Sequence, residues 1–231
     1  MTHCLCIFTA RRTHGALTAL LAVVLVAAAC GLASCNIVGG ATYLIAGPEK
    51  VPALYELDPK KKTVVLIDDR IPVVNSRVNR VRIGVAAERV LLDDAKIEVV
   101  ISSQDMLALA EREKGSQPRG VVELGEEVGA EVVISALMVS FSLTPDGQTY
   151  QPAAVVQVKV MDVAKKEKLW PAPPQRNYVL SVSAPQRQGN PPKTLSEVEA
   201  AYASLADRVG LAIAHLFVKH DQRKQDGRID D

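Results

Sequence analysis

An apolar stretch near the amino terminus follows a basic segment, and together they determine which residues are left to fold. Met1 to His14 contains Arg11 and Arg12 and no acidic residue. Ala16 to Ala29 then runs for fourteen residues with a single polar side chain. A basic segment followed by a short apolar segment is typical of a secretory signal peptide, and this stretch is shorter than the ~20 residues that span a bilayer. We therefore expect the folded body to begin beyond this leader and to lie outside the cytoplasm.

A processing motif follows the apolar stretch. Leu32–Cys35 (LASC) resembles the lipobox of bacterial lipoproteins. In that family a signal peptidase cuts before the cysteine, whose thiol and freed amine are acylated, so the resemblance implies a lipid anchor on Cys35. Small side chains at Ala33 and Ser34 let the backbone enter a protease cleft, and two or more acyl chains make a stable anchor. The competing motif at Cys30 lacks the leucine and would cut into the apolar stretch.

An uncleaved membrane span is the alternative. The chain is uncharged from Gly15 to Pro48, so Leu17 to Val38 is long enough to cross a bilayer. The positive-inside rule would then keep Arg11 and Arg12 in the cytoplasm. Both interpretations place the body outside the cytoplasm. Asn36 stands where enteric bacteria use aspartate for inner-membrane retention, which favours the outer membrane.

The charge balance bears on the partner. The chain has 27 basic and 26 acidic residues, a formal net charge of +1, and loss of the leader's two arginines would make it −1. A nucleic-acid partner requires a basic stripe, so we expect none. Arg77, Arg80, Arg82 and Arg89 form a basic run that could meet anionic lipid or peptidoglycan, but nearby acids favour a solvated face. Trp170 is interpreted as a core or rim residue, with a peptide-docking edge as the alternative.

Few groups could carry catalysis. If the chain is cleaved before Cys35, the other three cysteines leave with the leader and Cys35 is acylated. Of the four histidines, only His215 and His220 then remain. These two are five residues apart, unlike metal ligands at i, i+4 on one helix face, so we expect exposed helix-end residues. Asp68–Asp69 and Asp93–Asp94 are expected to be a strand-end turn and a helix end rather than acid–base groups. We predict no catalytic residue, no metal or other cofactor and no small-molecule substrate.

The body alternates strand and helix patterns. β-Branched or alternating segments predict strands at Thr63–Ile67, Glu98–Ile101, Glu131–Leu143, Ala153–Val163 and Tyr178–Val182. Helices are predicted over Ser76–Ala95, from Ser103, over Gly120–Val128, and from the Thr194–Glu197 capping box onward. The order predicts an α+β fold, a small mixed sheet with helices packed on it and a long C-terminal helix. The expected organisation is a leader at 1–34, a tether at 35–62, one domain at 63–220 and a disordered charged tail at 221–231.

One segment of the sequence resembles a known group of proteins. Leu124–Ile134 (LGEEVGAEVVI), with a second strand that ends in the turn Asp162–Trp170, resembles envelope proteins of the CsgG, LpoB and TolB N-terminal-domain group. The likeness spans Thr63–Trp170 and the final helix. The chain has no spare hairpins for a CsgG pore and is too short for the TolB propeller, so LpoB is nearest in plan. The resemblance implies a non-enzymatic, lipid-anchored protein of the cell envelope that faces the periplasm and binds another envelope component. A subunit of an outer-membrane secretion or assembly complex and an envelope hydrolase are the alternatives.

Overall fold

The computed structural model describes residues 50–69, 72–74, 76–112, 119–184 and 191–221. The expected leader and Cys35 lie outside them, as does all of the expected tail beyond Asp221. The strands are β1 (Lys50–Val51), β2 (Thr63–Asp68), β3 (Val100–Ile101), β4 (Val132–Ser142), β5 (Ala153–Asp162), β6 (Glu167–Trp170), β7 (Tyr178–Ser183) and β8 (His220–Asp221). The helices are α1 (Arg77–Asp93), α2 (Ser103–Arg112), α3 (Val121–Val128) and α4 (Leu195–His215). No helix of this described part is long and apolar enough to cross a membrane.

Six of the strands form one mixed sheet in the order β3-β2-β4-β5-β6, with β7 also paired to β5. β3, β2 and β4 are parallel, whereas β5 is antiparallel to β4, β6 and β7. β7 pairs with residues 153–158 of β5 and β6 pairs with residues 160–162. Both strands therefore lie on the same side of β5 and form one interrupted edge. The predicted α+β class, with helices on a mixed sheet and a long C-terminal helix, is confirmed.

The two faces of the sheet carry separate apolar clusters. α1 and α4 cover one face, where Ile83, Leu91, Leu205 and Ile213 pack on alternate residues of the central strands, such as Ile134. α2 and α3 cover part of the other face, with Met106 and Leu124 packed on Val64, Leu66 and Val133. Central strands with both faces covered read as nearly continuous apolar runs, which is why β2 (TVVLID) shows no alternation.

Helices α1 and α4 cross closely because Gly210 carries no side chain. A Cβ placed at Gly210 would clash with the backbone oxygen of Ile83 and lie 2.7 Å from the Cβ of Ala86. Gly125 of α3 has a similar role, since a Cβ there would lie 2.6 Å from Cγ2 of Val133. Both glycines permit close approach of elements rather than an unusual backbone angle.

Residues 50–62, which the sequence assigns to the tether, are packed on the body. β1 pairs with β8 in an antiparallel two-stranded sheet. The backbone N–H groups of Leu54 and Tyr55 donate to the carbonyl of Leu216 at 2.8 and 3.2 Å. The Tyr55 ring lies 6.4 Å from that of Trp170.

Candidate interaction surface

In the Asp68–Asp69 pair, the Asp69 carboxylate is held by backbone and side-chain contacts. Oδ1 of the buried Asp69 carboxylate accepts the backbone N–H groups of Val73 and Val74, at 2.9 and 3.4 Å. The guanidinium of Arg80 lies 3.6 Å from the other carboxylate oxygen, so this carboxylate links the end of β2 to residues 73 and 74 and to α1. Asp93 and Asp94 are exposed at the end of α1. Both positions agree with the structural interpretation of the sequence.

The expectation that His215 and His220 are exposed is wrong. Both side chains are buried, and their rings stack with centroids 4.0 Å apart and planes 6° from parallel. Nδ1 of His220 lies 3.0 Å from the carbonyl oxygen of Val218. The i, i+4 rule applies within a continuous helix, whereas α4 ends at His215 and the non-helical residues 216–219 separate it from β8. Within the described ranges, no group of three or more His, Cys, Asp or Glu side chains could hold a metal ion.

The basic run on α1 is largely neutralised by ion pairs. Nε of Arg77 and Nη2 of Arg80 lie 2.9 and 3.0 Å from the two carboxylate oxygens of Glu111. Nε of Arg82 lies 2.6 Å from Oδ1 of Asp207 on α4. These pairs join α1 to its neighbouring helices and favour the solvated face over a concentrated anion site.

Trp170 belongs to an aromatic cluster at the edge of the core. Its ring centroid lies 5.0 Å from that of Tyr178 and 5.9 Å from that of Phe217, in addition to the Tyr55 contact. The side chain is partly buried against the main cluster. This packing corresponds to the core or rim interpretation of the sequence.

One part of the sheet remains accessible. We call it the open face, and it consists of Leu137, Val155, Gln157, Val179 and Ser181, which are half-buried or exposed. Leu137 pairs with Gln157 and Gln157 with Val179, so these three form one row across β4, β5 and β7. Val155 and Ser181 belong to the next row, and Val179 is 58% exposed. A β-bulge at Met138–Ser140 leaves Val139 exposed beside the open face.

Among the described strands, β7 pairs only with β5, so its other side is an edge of the sheet. The N–H of Ala184 donates to the carbonyl of Pro152 at 2.8 Å, which continues the β7–β5 ladder. Because hydrogen bonding in an antiparallel pair alternates by residue, Leu180 and Val182 also point their backbone groups toward β5. Val179, Ser181 and Ser183 therefore direct their N–H and C=O groups away from the sheet. Edge strands are commonly protected by lysine, proline or a bulge, and β7 (YVLSVS) contains no charge and no proline.

A groove of about 200 Å³ separates this edge from α4. One wall is the outer side of β7, and the other is formed by Arg208, Leu211, Ala212 and His215. These four lie at i, i+3, i+4 and i+7, on one face of the helix. Arg208 is half-buried, and no carboxylate of the described residues forms an ion pair with it, whereas the adjacent Asp207 is occupied by Arg82.

The sequence contained part of this surface. The sequence pattern predicts the β7 strand. Its exposed residues are Val179, Ser181 and Ser183, and none of them is charged. Nothing in the local pattern reveals that β7 pairs with β5 or that α4 places Arg208 beside it, because both depend on contacts across 20 or more residues. The edge and its groove are therefore findings of the structure.

Comparison with known proteins gives only structural matches. No protein-family model and no curated protein sequence matches the chain. The PelC dodecamer from Paraburkholderia phytofirmans matches at 14% identity over 72% of this chain and 95% of that chain, with a TM-score of 0.39. Lipoprotein GNA1162 from Neisseria meningitidis matches at 11% identity over 62% and 94%, with a TM-score of 0.38. The LpoB C-terminal domain from Salmonella enterica matches at 17% identity over 55% and 85%, with a TM-score of 0.31.

The matched structures include a lipoprotein and the C-terminal domain of LpoB, and LpoB is one member of the group that the sequence resembles. Identities below 25% and TM-scores below 0.4 restrict this likeness to the arrangement of elements. A shared arrangement of elements does not establish a function.

Proposed function

We propose that this protein is a non-enzymatic, lipid-anchored component of the bacterial cell envelope whose folded body binds another envelope protein. The observation that carries the proposal is Leu32–Cys35, a lipobox-like motif that follows a basic segment and an apolar stretch of signal-peptide length. Acylation of Cys35 would hold the body at a membrane surface on the periplasmic side, and Asn36 favours the outer membrane.

The most accessible part of the sheet supports the binding role. The open face and the adjoining β7 edge combine exposed apolar side chains with backbone groups that lack a strand partner in the described structure. Free sheet edges and exposed apolar patches are recurring sites of protein–protein contact. An envelope protein is therefore the partner that this surface suits.

The most buried carboxylates support a non-enzymatic role. Asp69 accepts two backbone N–H groups, and Asp162 is paired with Lys61 and accepts the N–H of Lys165. A general acid or base must reach a substrate atom, whereas these groups are already occupied by the fold. Their role is to organise turns and to hold segments together.

Two measurements test the two halves of this proposal. Replacement of Cys35 by alanine is expected to abolish labelling of the protein by radioactive palmitate, whereas replacement of Cys30 by alanine leaves it labelled. An unaltered protein that stays in the membrane fraction without any palmitate label would favour an uncleaved span. Cross-linking in cells, followed by mass spectrometry, is expected to enrich a specific envelope protein, and a lone monomer would contradict the binding role.

A further inference from the structure

The β7 edge offers a specific chemistry to a partner. Val179, Ser181 and Ser183 present three N–H donors and three C=O acceptors in a row about 13 Å long, given ~3.3 Å per residue in a strand. An extended segment that lies beside them could satisfy all of these groups, as in β-strand addition. A helix could not, because its own backbone groups are already paired.

The residues that line the groove determine which side chains fit on the added segment. Alternate side chains of a strand beside β7 would point into the groove, toward Leu211, Ala212 and Arg208. The other side chains would continue the open face beyond Val179. Leu211 and Ala212 favour an apolar side chain in the groove, and the half-buried Arg208 favours a carboxylate.

The charged residues around the β7 edge also favour an acidic segment. Arg208 of α4 lines the groove, Arg176 lies two residues before β7, and Lys159 of β5 lies in the row beyond Gln157, opposite Ser135. No acidic residue lines the groove. A basic segment would meet repulsion here, and an acidic one would be attracted to the site.

We infer that the outer edge of β7, which has no strand partner among the described residues, receives an extended acidic segment of the envelope partner, which adds as a further strand and places a carboxylate against Arg208. This inference rests on the proposed function and specifies its binding site. Pairing of two copies through their β7 edges would not supply this carboxylate, because β7 (YVLSVS) contains no acidic residue.

A peptide experiment tests the chemistry on the full-length protein purified in detergent. Two fluorescent nine-residue peptides of alternating threonine and valine would differ only in the central residue, glutamate or lysine. Fluorescence anisotropy is expected to show at least tenfold tighter binding of the glutamate peptide. Arg208→Gln is expected to abolish that preference. Equal affinity of the two peptides for the unaltered protein would overturn the inference.

Substitutions at Ser181 test the strand geometry. Ser181→Pro removes an outward N–H without breaking the β5 ladder and is expected to weaken binding of the glutamate peptide at least tenfold. Ser181→Thr keeps the N–H and is expected to bind normally. Unfolding curves of both variants show whether the proline alters the fold. Normal binding by the folded Ser181→Pro protein would contradict strand addition.

Photo-cross-linking in cells separates this inference from the proposed function. p-Benzoylphenylalanine would replace either Ser181 on the edge or Val78, an exposed residue of α1. An envelope protein cross-linked through an acidic segment at 181, and absent at 78, is the expected result. An envelope adduct at 78 alone would overturn the inference and leave the proposed function standing. At 181, a second copy or a segment of the same chain would overturn the inference. The lack of an envelope adduct at both positions would overturn both.

Discussion

Nζ of Lys61 lies 2.8 Å from Oδ2 of Asp162, and this ion pair joins residues 101 positions apart in the chain. It fastens the segment before β2 to the end of β5. Asp162 is nearly fully buried, and its other carboxylate oxygen accepts the backbone N–H of Lys165 at 2.9 Å. The hydrogen bond from Lys61, assisted by that of Lys165, lowers the pKa of Asp162, and the same bond raises the pKa of Lys61.

Replacement of Asp162 by asparagine is expected to lower the free energy of unfolding by about 1–2 kcal/mol at pH 7. The figure is modest because the Lys61 ammonium is one-third exposed and can be hydrated when its partner is lost. Asp207→Asn is the matched control, since the Arg82–Asp207 pair is about half-exposed and is expected to contribute less than about 1 kcal/mol. Urea unfolding measures both values. Equal losses in the two variants would contradict the buried role of Asp162.

The same pair predicts a pH dependence. A carboxylate with a lowered folded-state pKa stabilises the protein above its ordinary value of 3.8, and this contribution is lost as the pH falls through the lowered pKa. A lysine with a raised pKa stabilises the protein below its ordinary value of 10.5 and loses this effect as the pH rises through the raised pKa. The stability difference between wild type and Asp162→Asn should therefore be constant between these values and shrink outside them. A difference that grows in acid would contradict this assignment.

The α1–α4 crossing predicts a large effect at Gly210. Gly210→Val is expected to destabilise the protein by about 1–3 kcal/mol or more, because its side chain would meet the backbone of Ile83. Gly120→Ser is the control. A Cβ at Gly120 meets nothing closer than 4.0 Å, and serine is a good N-cap for α3. Thermal unfolding should separate the two variants, and similar midpoints would contradict the close crossing.

The capping box of α4 predicts a smaller loss. Oγ1 of Thr194 accepts the N–H of Glu197 at 3.2 Å, and the Glu197 carboxylate accepts the N–H of Thr194 at 3.1 Å. Thr194→Ala is expected to cost about 1 kcal/mol of unfolding free energy. Ser204→Ala, at an exposed position of the same helix, should change stability by less than about 0.5 kcal/mol. A Thr194→Ala protein as stable as the Ser204→Ala control would show that the cap does not contribute.

The stacked histidines predict a local effect. His220→Ala removes the ring that packs on His215 and is expected to speed hydrogen exchange in β1 and β8, while β4 and β5 stay protected. His220→Phe keeps an aromatic ring and should restore part of the protection. Lys219→Ala, at an exposed neighbour, is the control. Uniform acceleration across the sheet, or none in β1 and β8, would contradict the role of the stack.

Local signals in the sequence predicted most of the elements. The β-branched run at Thr63–Ile67, the helix stop at Gly129 and the capping box at Thr194 each act within a few residues, and the structure has β2, the end of α3 and the start of α4 at these positions. Gly129 adopts a positive φ of 75°, as a helix stop requires.

Long-range contacts were the part that the sequence could not supply. The β1–β8 pairing, the packing of Tyr55 on Trp170 and the burial of His215 against His220 all join segments through the tertiary fold. A Gly- and Pro-rich segment is usually a linker, so the composition before β2 did not predict the contacts of β1 and Tyr55. Histidine is less often buried than apolar residues, so the sequence did not predict the burial of His215 and His220. The candidate site was missed for the same reason, because Arg208 and β7 meet only after α4 packs on the sheet.

The intact mass of the protein extracted from membranes shows whether Cys35 is the lipidated amino terminus. Cleavage before Cys35 with acylation predicts the mass of residues 35–231 plus a diacylglyceryl group and an N-linked acyl chain. Cys35→Ala, analysed in parallel, should lose the lipid mass. An unmodified mass of 24.8 kDa, that of the full chain, would contradict a lipid anchor and assign the amino terminus to an uncleaved span.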